Sequence, residues 1–128
     1  MRVSYSSGAP WEDKVGYRRA MRIGNVIEVS GTTAVRDGVV QGKGDIYHQS
    51  ITCFEIIKES IESLGGKMDD VIRTRMYTTD IKQWELIGKA HHQFFKDIHP
   101  ASTLIEVSAF VDDALLIEIE ATAILDHG

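Results

Sequence analysis

Tyr17–Thr32 reads YRRAMRIGNVIEVSGT, two extended runs, Tyr17–Ile23 and Val26–Thr32, joined by Gly24-Asn25. A two-residue Gly-X connection between such runs is the signature of a tight β-hairpin turn. With Ile23 paired to Val26, Arg19 falls opposite Ser30 and Tyr17 opposite Thr32. Side chains alternate across a strand, so Tyr17, Arg19, Glu28, Ser30 and Thr32 are expected on one face. Gly31 and the polar, glycine-dotted stretch Arg36–Gly44 then break the sheet.

Beyond the hairpin the period changes. Tyr47, Ile51, Phe54, Ile57, Ile61 and Leu64 recur at spacings of three and four, the stripe of a helix buried on one side. Asp45 is its N-cap, and Gly65-Gly66 stops it near Leu64. Val71–Thr79 reads as a strand. Asp80 with Gln83 resembles a capping box for a second helix, with Trp84, Ile87, Ala90, Phe94 and Ile98 on its buried face. Pro100 ends that helix, because the residue before a proline avoids the helical region. Ser102–Val107 and Leu115–Ile124 close the chain as strands. The order is ββαβαββ, an α+β fold: a mainly antiparallel sheet with two helices packed on one face. With no linker, repeat or low-complexity segment, residues 1–128 read as one domain.

Two helices cannot cover both faces of that sheet. In the last strand Ile117, Ile119, Ala121 and Ala123 point one way and Glu118, Glu120 and Thr122 the other. Arg73, Arg75 and Tyr77 alternate with Ile72, Thr74 and Met76, which puts two cations and a phenol on one side. Ser102 and Glu106 share a face of the strand between. Such a polar face is either solvated or the wall of an oligomer interface holding a polar pocket.

Composition narrows the function classes. The 128 residues carry 14 Lys and Arg against 19 Asp and Glu, a formal charge of −5. An acidic balance disfavours nucleic acid, whose phosphates require clustered cations. An apolar share of 43% with 26% charged residues is that of an ordinary globular fold. No apolar run approaches the ~20 residues of a membrane span, and the opening MRVSYSSGAP lacks the apolar stretch of a signal peptide. One cysteine, Cys53, excludes a disulfide framework. The expectation is a soluble cytoplasmic protein.

Metal and cofactor signals are weak. His91 and His92 are neighbours on a helix and point ~100° apart, poor geometry for one ion. His91 falls on the apolar stripe as a core or interface histidine, and His48, His99 and His127 are scattered. No His-Glu-x-x-His or Cys-x-x-Cys occurs, and Gly42-Lys43-Gly44 lacks the spacing of a phosphate loop. Neither a metal nor an organic cofactor is expected. Cys53, beside the first helix's stripe, reads as a small buried hydrophobe. Trp11-Glu12 reads either as a cover over a pocket mouth or as a loop anchor.

The hairpin ending in Ser30-Gly31, the segment DVIRTRMYTTDI (Asp70–Ile81), the Pro100-Ala101 strand opening and the closing LLIEIEATAI (Leu115–Ile124) together resemble the Rid (reactive intermediate deaminase) family, also called YjgF or L-PSP. The resemblance runs from about Tyr17 to Ile124. It implies a chorismate-mutase-like fold assembled as a homotrimer, with small-molecule pockets between subunits. It also implies cofactor-free hydrolysis of enamines or imines to a 2-keto acid and ammonia.

Carried over residue by residue, Tyr17 matches the family's pocket tyrosine and Ser30-Gly31 the Ser-Gly lining the pocket. Glu118 matches the carboxylate that orients or activates water. Deaminating members have Pro-Ala-Arg, whose arginine grips the substrate carboxylate; here the segment is Pro100-Ala101-Ser102. An asparagine of their second helix falls at Gly88. The chain thus looks like a divergent branch lacking the arginine, and serine cannot replace that charge. Arg19, Arg73 and Arg75 are the candidate substitutes, and Glu118 without a cationic neighbour is expected to hold its proton to higher pH. Competing readings are a metabolite-binding trimer without turnover and, least favoured, an endoribonuclease.

Overall fold

The computed structural model describes residues 1–126, so His127 lies outside the described residues. Six strands form the main sheet: β1 (Arg2–Tyr5), β2 (Ala20–Ile23), β3 (Val26–Thr32), β6 (Val71–Thr78), β7 (Ala101–Glu106) and β8 (Ile117–Ile124). Their order across the sheet is β1-β2-β3-β8-β6-β7, antiparallel throughout except for the parallel pair β6–β7. A separate small hairpin pairs β4 (Val35–Arg36) with β5 (Val39–Val40). The helices are α1 (Pro10–Val15), α2 (Ile46–Ser63) and α3 (Trp84–Phe95).

The β2–β3 hairpin has the expected register, Ile23 opposite Val26, with Gly24 at φ 60° in the turn. The small hairpin turns on Asp37-Gly38, both at positive φ (52° and 77°). An Asp-Gly pair between extended residues encodes this type I′ turn, so the stretch expected only to break the sheet starts a second one. Asp45 caps α2: its Oδ1 accepts from the His48 backbone N–H at 3.0 Å. Gly65, at φ 90°, and Gly66 end α2, the Gly66 N–H returning to the Ile61 carbonyl at 3.0 Å.

Helices α2 and α3 pack on each other and on one face of the sheet, where Ile27, Val29, Ile117, Ile119, Ala121 and Ala123 meet Phe54, Ile57, Ile61, Ile87 and Phe95. Each large apolar side chain so buried contributes about 1.5–3 kcal/mol, which fixes the faces of β3 and β8 and leaves Glu118 and Glu120 on the uncovered side. His91 joins this layer, its ring 5.6 Å from that of Phe54 and 4.7 Å from that of Phe95.

Several sequence expectations are corrected here. Among the described residues there are three α-helices, not two, and an additional N-terminal strand. Helix α3 is preceded by a 3₁₀ turn (Ile81–Gln83) and stops at Phe95, so Ile98 lies beyond it. Gln83 donates its side-chain amide to Asp80 Oδ2 (3.1 Å), rather than accepting from the cap backbone as in a capping box. Trp84, first in α3, is exposed rather than buried. Thr32 does not share a face with Glu28. Val29 pairs with Ala121 but Thr32 pairs with Ile119, so three steps on β3 span two on β8. The extra residue is a β-bulge at Ser30-Gly31. It turns Thr32 inward, fully buried, where its carbonyl meets Cys53 Sγ at 3.3 Å. Tyr17 precedes β2 and has no partner in that ladder, whereas the Arg19 carbonyl does accept from the Ser30 N–H at 3.0 Å.

Candidate functional site

The bulge brings backbone to carboxylate. Strand β8 aims Glu118 at the uncovered side beside Gly31, and a Cβ built on Gly31 would lie 2.9 Å from Glu118 Cδ. Only glycine admits this approach. Glu118 is half-buried, and neither oxygen has a hydrogen-bond partner among the described residues. Burial therefore pushes its carboxyl above the usual range, with the Arg19 charge opposing and the Glu120 charge adding to the rise. Arg19 holds the same corner: its Nη2 donates to the Gly31 carbonyl at 2.5 Å. Burial weakens the guanidinium's hold on its proton, but at this side chain's basicity it remains a cation.

Across β6 the register sets Tyr77 opposite Glu118, Arg75 opposite Glu120 and Arg73 opposite Thr122. Tyr77 donates its hydroxyl to Glu120 Oε1 at 2.9 Å, which favours the protonated phenol and raises its pKa. Arg75 Nη1 stands 3.7 Å from the same oxygen. Arg73 donates to Thr103 Oγ1 at 2.5 Å and Thr122 to Glu28 Oε1 at 2.6 Å. The two β6 arginines are thus engaged on the uncovered face, Arg75 with Glu120 and Arg73 with Thr103.

Tyr17 and Ser30 line an open concavity of about 510 Å³ with Arg18, Glu28, Arg75 and Glu120. Ser30 donates its hydroxyl to the Arg18 carbonyl at 2.7 Å. The concavity and the Glu118–Gly31–Arg19 corner meet at the bulge. Arg2, from the strand the sequence did not disclose, also borders the concavity.

Ser102 stands apart. Register pairs it with Thr74, whose side chain points to the helix-covered side, and Thr74 Oγ1 donates to Ser102 Oγ at 2.8 Å. The same Thr74 oxygen lies 2.9 Å from His91 Nε2. Within one protomer Ser102 therefore sits on the opposite side of the sheet from Glu118, on edge strand β7. Tyr17, Ser30, Gly31, Arg19 and Glu118 gather at one end of the uncovered face; Ser102 does not join them.

Cys53 is fully buried and burial pushes its thiol up, as suits an inert hydrophobe. Among the described residues no group of three or more His, Cys, Asp or Glu converges as a metal site. No helix among them is long and apolar enough to cross a membrane. Of Trp11-Glu12, the tryptophan is 62% exposed but the glutamate only 2%. A buried glutamate in a six-residue helix carries no sequence signal beyond Pro10 at the helix start.

The model of the endoribonuclease L-PSP family matches residues 9–125. The chain belongs to the Rid/YjgF/L-PSP family. Its similarity to other members of that family covers nearly the full chain. An uncharacterized protein of Streptomyces coelicolor is 35% identical over 117 residues, covering 91% of this chain and 87% of its own. The crystal structure of a YjgF/YER057c/UK114 family member from Mycobacterium tuberculosis superposes with a TM-score of 0.89 at 39% identity, covering 98% of this chain and 100% of its own. A more distant family member, the 2-iminobutanoate/2-iminopropanoate deaminase of Escherichia coli, is 26% identical over 111 residues, 84% of this chain and 86% of its own.

Proposed function

We propose that the protein is a cytoplasmic, homotrimeric Rid-family hydrolase that deaminates reactive imines or enamines without a cofactor, in pockets between subunits. The observation that carries this reading is the Glu118 carboxyl, half-buried against Gly31 and held above the usual range. A carboxyl so placed keeps its proton to higher pH than an ordinary glutamate, as a general acid requires. It can donate that proton to the imine nitrogen. The resulting carboxylate then takes a proton from water as the oxygen bonds to the C=N carbon. Returning the proton to nitrogen breaks the C–N bond and releases ammonia. As the C=O bond forms, the carbinol hydroxyl gives its proton to the Glu118 carboxylate, which frees the carbonyl product and restores the acid. Tyr17, Ser30 and the Gly31 backbone would line the substrate's side of the pocket.

The trimer is supported by the placement of the parts. The outer edge of β7 has no partner strand among the described residues, and five of its six residues are exposed. Unpaired edges of this kind are normally covered or blunted. Covering it with another subunit is also the way for Ser102, on that edge, to reach a pocket built by Glu118 of a neighbour. Because position 102 carries no charge, the preferred substrate is neutral or anchored elsewhere, and small 2-imino acids are turned over weakly. No nucleic-acid partner belongs to this reading.

The test is release of ammonia from a neutral imine above its spontaneous rate, in chelator, with the mass in solution measured by light scattering. The proposal expects catalysis by a particle of three times the 14.3 kDa chain mass. A trimer that retains the imine without accelerating its hydrolysis would instead establish the metabolite-binding reading.

A further inference from the structure

Glu12 is the one acidic residue among the described residues in the buried class besides Asp70, and its burial is nearly complete at 2% exposure. Its Oε2 accepts from the Ser7 backbone N–H (3.0 Å) and the Ser7 hydroxyl (2.6 Å). Its Oε1 is buried with no hydrogen-bond partner, and so is Nε of Arg19. Two orphaned atoms of opposite charge, each interacting electrostatically with the other's group, are unusual in a packed interior and require an account. The backbone joins them: the Glu12 carbonyl accepts from Gly16 and Tyr17 N–H groups, both at 2.9 Å, which folds the end of α1 back toward Arg19. At its other end Arg19 donates to the carbonyl of Gly31, the residue against which Glu118 rests.

One guanidinium therefore lies within electrostatic reach of two carboxylates, while its hydrogen bond goes to the Gly31 carbonyl. Resting on the reading of Glu118 as the reacting group, the geometry points to Glu12 as a positioning residue that acts through Arg19 to keep Glu118 a proton donor. A cation shared with a buried anion offers less net positive charge to a second anion than a cation held alone. Glu12, whose Oε2 takes two donors from Ser7 and which also feels the Arg19 charge, is held below the usual carboxylate range. Glu118, with no donor on either oxygen, stands above it. Two carboxyls pushed apart in this way ionise in a fixed order as pH rises, Glu12 before Glu118. The other groups that act on Glu118 are Glu120 on β8, Tyr77 across β6 and Cys53 on α2; the first is a like charge and the latter two are neutral near pH 7. Arg19 is thus the cation whose availability sets the balance, and Glu12 sets that availability.

The test is the titration of the Glu118 side-chain carboxyl, followed by carbon NMR, in the unmodified protein, in Glu12→Gln and in Asp13→Asn. The amide keeps the shape and the Ser7 contact but removes the charge. Asp13, on the same helix, pairs with Arg18 and controls for a general charge effect. The Glu118 midpoint is expected to fall by about 1 unit in Glu12→Gln and to stay in place in Asp13→Asn. An unmoved midpoint in Glu12→Gln, or an equal fall in both variants, overturns the inference. In the unmodified protein Glu12 is expected to ionise at lower pH than Glu118; the reverse order overturns the inference even where Glu12→Gln fails to fold. The titration uses no substrate, so a protein with the expected shift and no hydrolytic activity would refute the proposed reaction while leaving this link standing.

Discussion

Glu118 rests directly on Gly31, so closely that a methyl group in place of the Gly31 hydrogen would occupy the space of the carboxylate. The contact depends on the bulge between Val29 and Thr32, which places Ser30-Gly31 beside β8 without the strict alternation of a regular strand. It sets a residue without a side chain against a half-buried carboxylate that no hydrogen-bond donor meets among the described residues.

Gly31→Ala tests that contact. The atoms met by the new Cβ belong to the end of a flexible side chain, so Glu118 can move aside at a stability cost of about 1 kcal/mol, the low end for overpacking. Displaced toward solvent, it loses the burial that raises its pKa. We expect urea denaturation to register the small loss and the Glu118 titration midpoint to return toward 4.5, its ordinary value.

Ser102→Arg introduces the charge that the family resemblance implies for deaminating members. A charged hydrogen bond to a substrate carboxylate contributes about 1.5–3 kcal/mol, roughly tenfold to a hundredfold in kcat/KM. We expect a gain of that order for small 2-imino acids, read by semicarbazide capture of the imine left after an amino-acid oxidase generates it. Adding Glu118→Ala should abolish the gain. If the unmodified protein already matches an arginine-bearing relative, the argument from Ser102 fails.

Glu118→Gln carries a stability signature with a defined sign. The folded state holds the Glu118 proton more tightly than the unfolded chain, so the folded state binds more protons as pH rises past 4.5 and stability declines there. Removing the carboxyl should therefore stabilise the protein at pH 7. The gain should vanish below pH 4.5, where both states are protonated. Denaturation midpoints at three pH values suffice to show it.

His91 produces the opposite slope. Burial against Phe54 and Phe95 lowers its pKa, so below its ordinary 6.5 the unfolded chain binds the proton first and stability is lost as pH falls. We expect His91→Gln to flatten the acid-side loss between pH 6.5 and the folded-state value, measured in a Glu118→Gln background so that the two slopes do not cancel.

Much of this architecture is written in the sequence at short range. The stripe from Phe54 to Ile61, the Asp45 cap and the Gly24-Asn25 turn each follow from local periodicity or turn chemistry, and all three stand in the structure. The alternation of β8 likewise placed Glu118 and Glu120 away from the helices. The losses come where elements are too short to show a period: β1 has four residues and α1 six. Strict alternation carried through Gly31 puts Thr32 on the wrong face, although a glycine inside a strand is itself a bulge signal. That Glu12 is buried and Arg19 partly so is set by packing between segments, which no local pattern reports. The position of Ser102 on the far side of the sheet from Glu118 depends on strand order in the same way.

The most direct test of the central claim compares kcat/KM for hydrolysis of a neutral imine by the unmodified protein and by Glu118→Gln, at matched assembly state and across pH. The account predicts that the unmodified protein accelerates hydrolysis with a rate that falls as pH rises through an apparent pKa above 4.5, and that the amide variant loses this acceleration by about 100-fold or more. Equal rates in the two proteins, with both correctly folded, would contradict it and remove Glu118 from the chemistry.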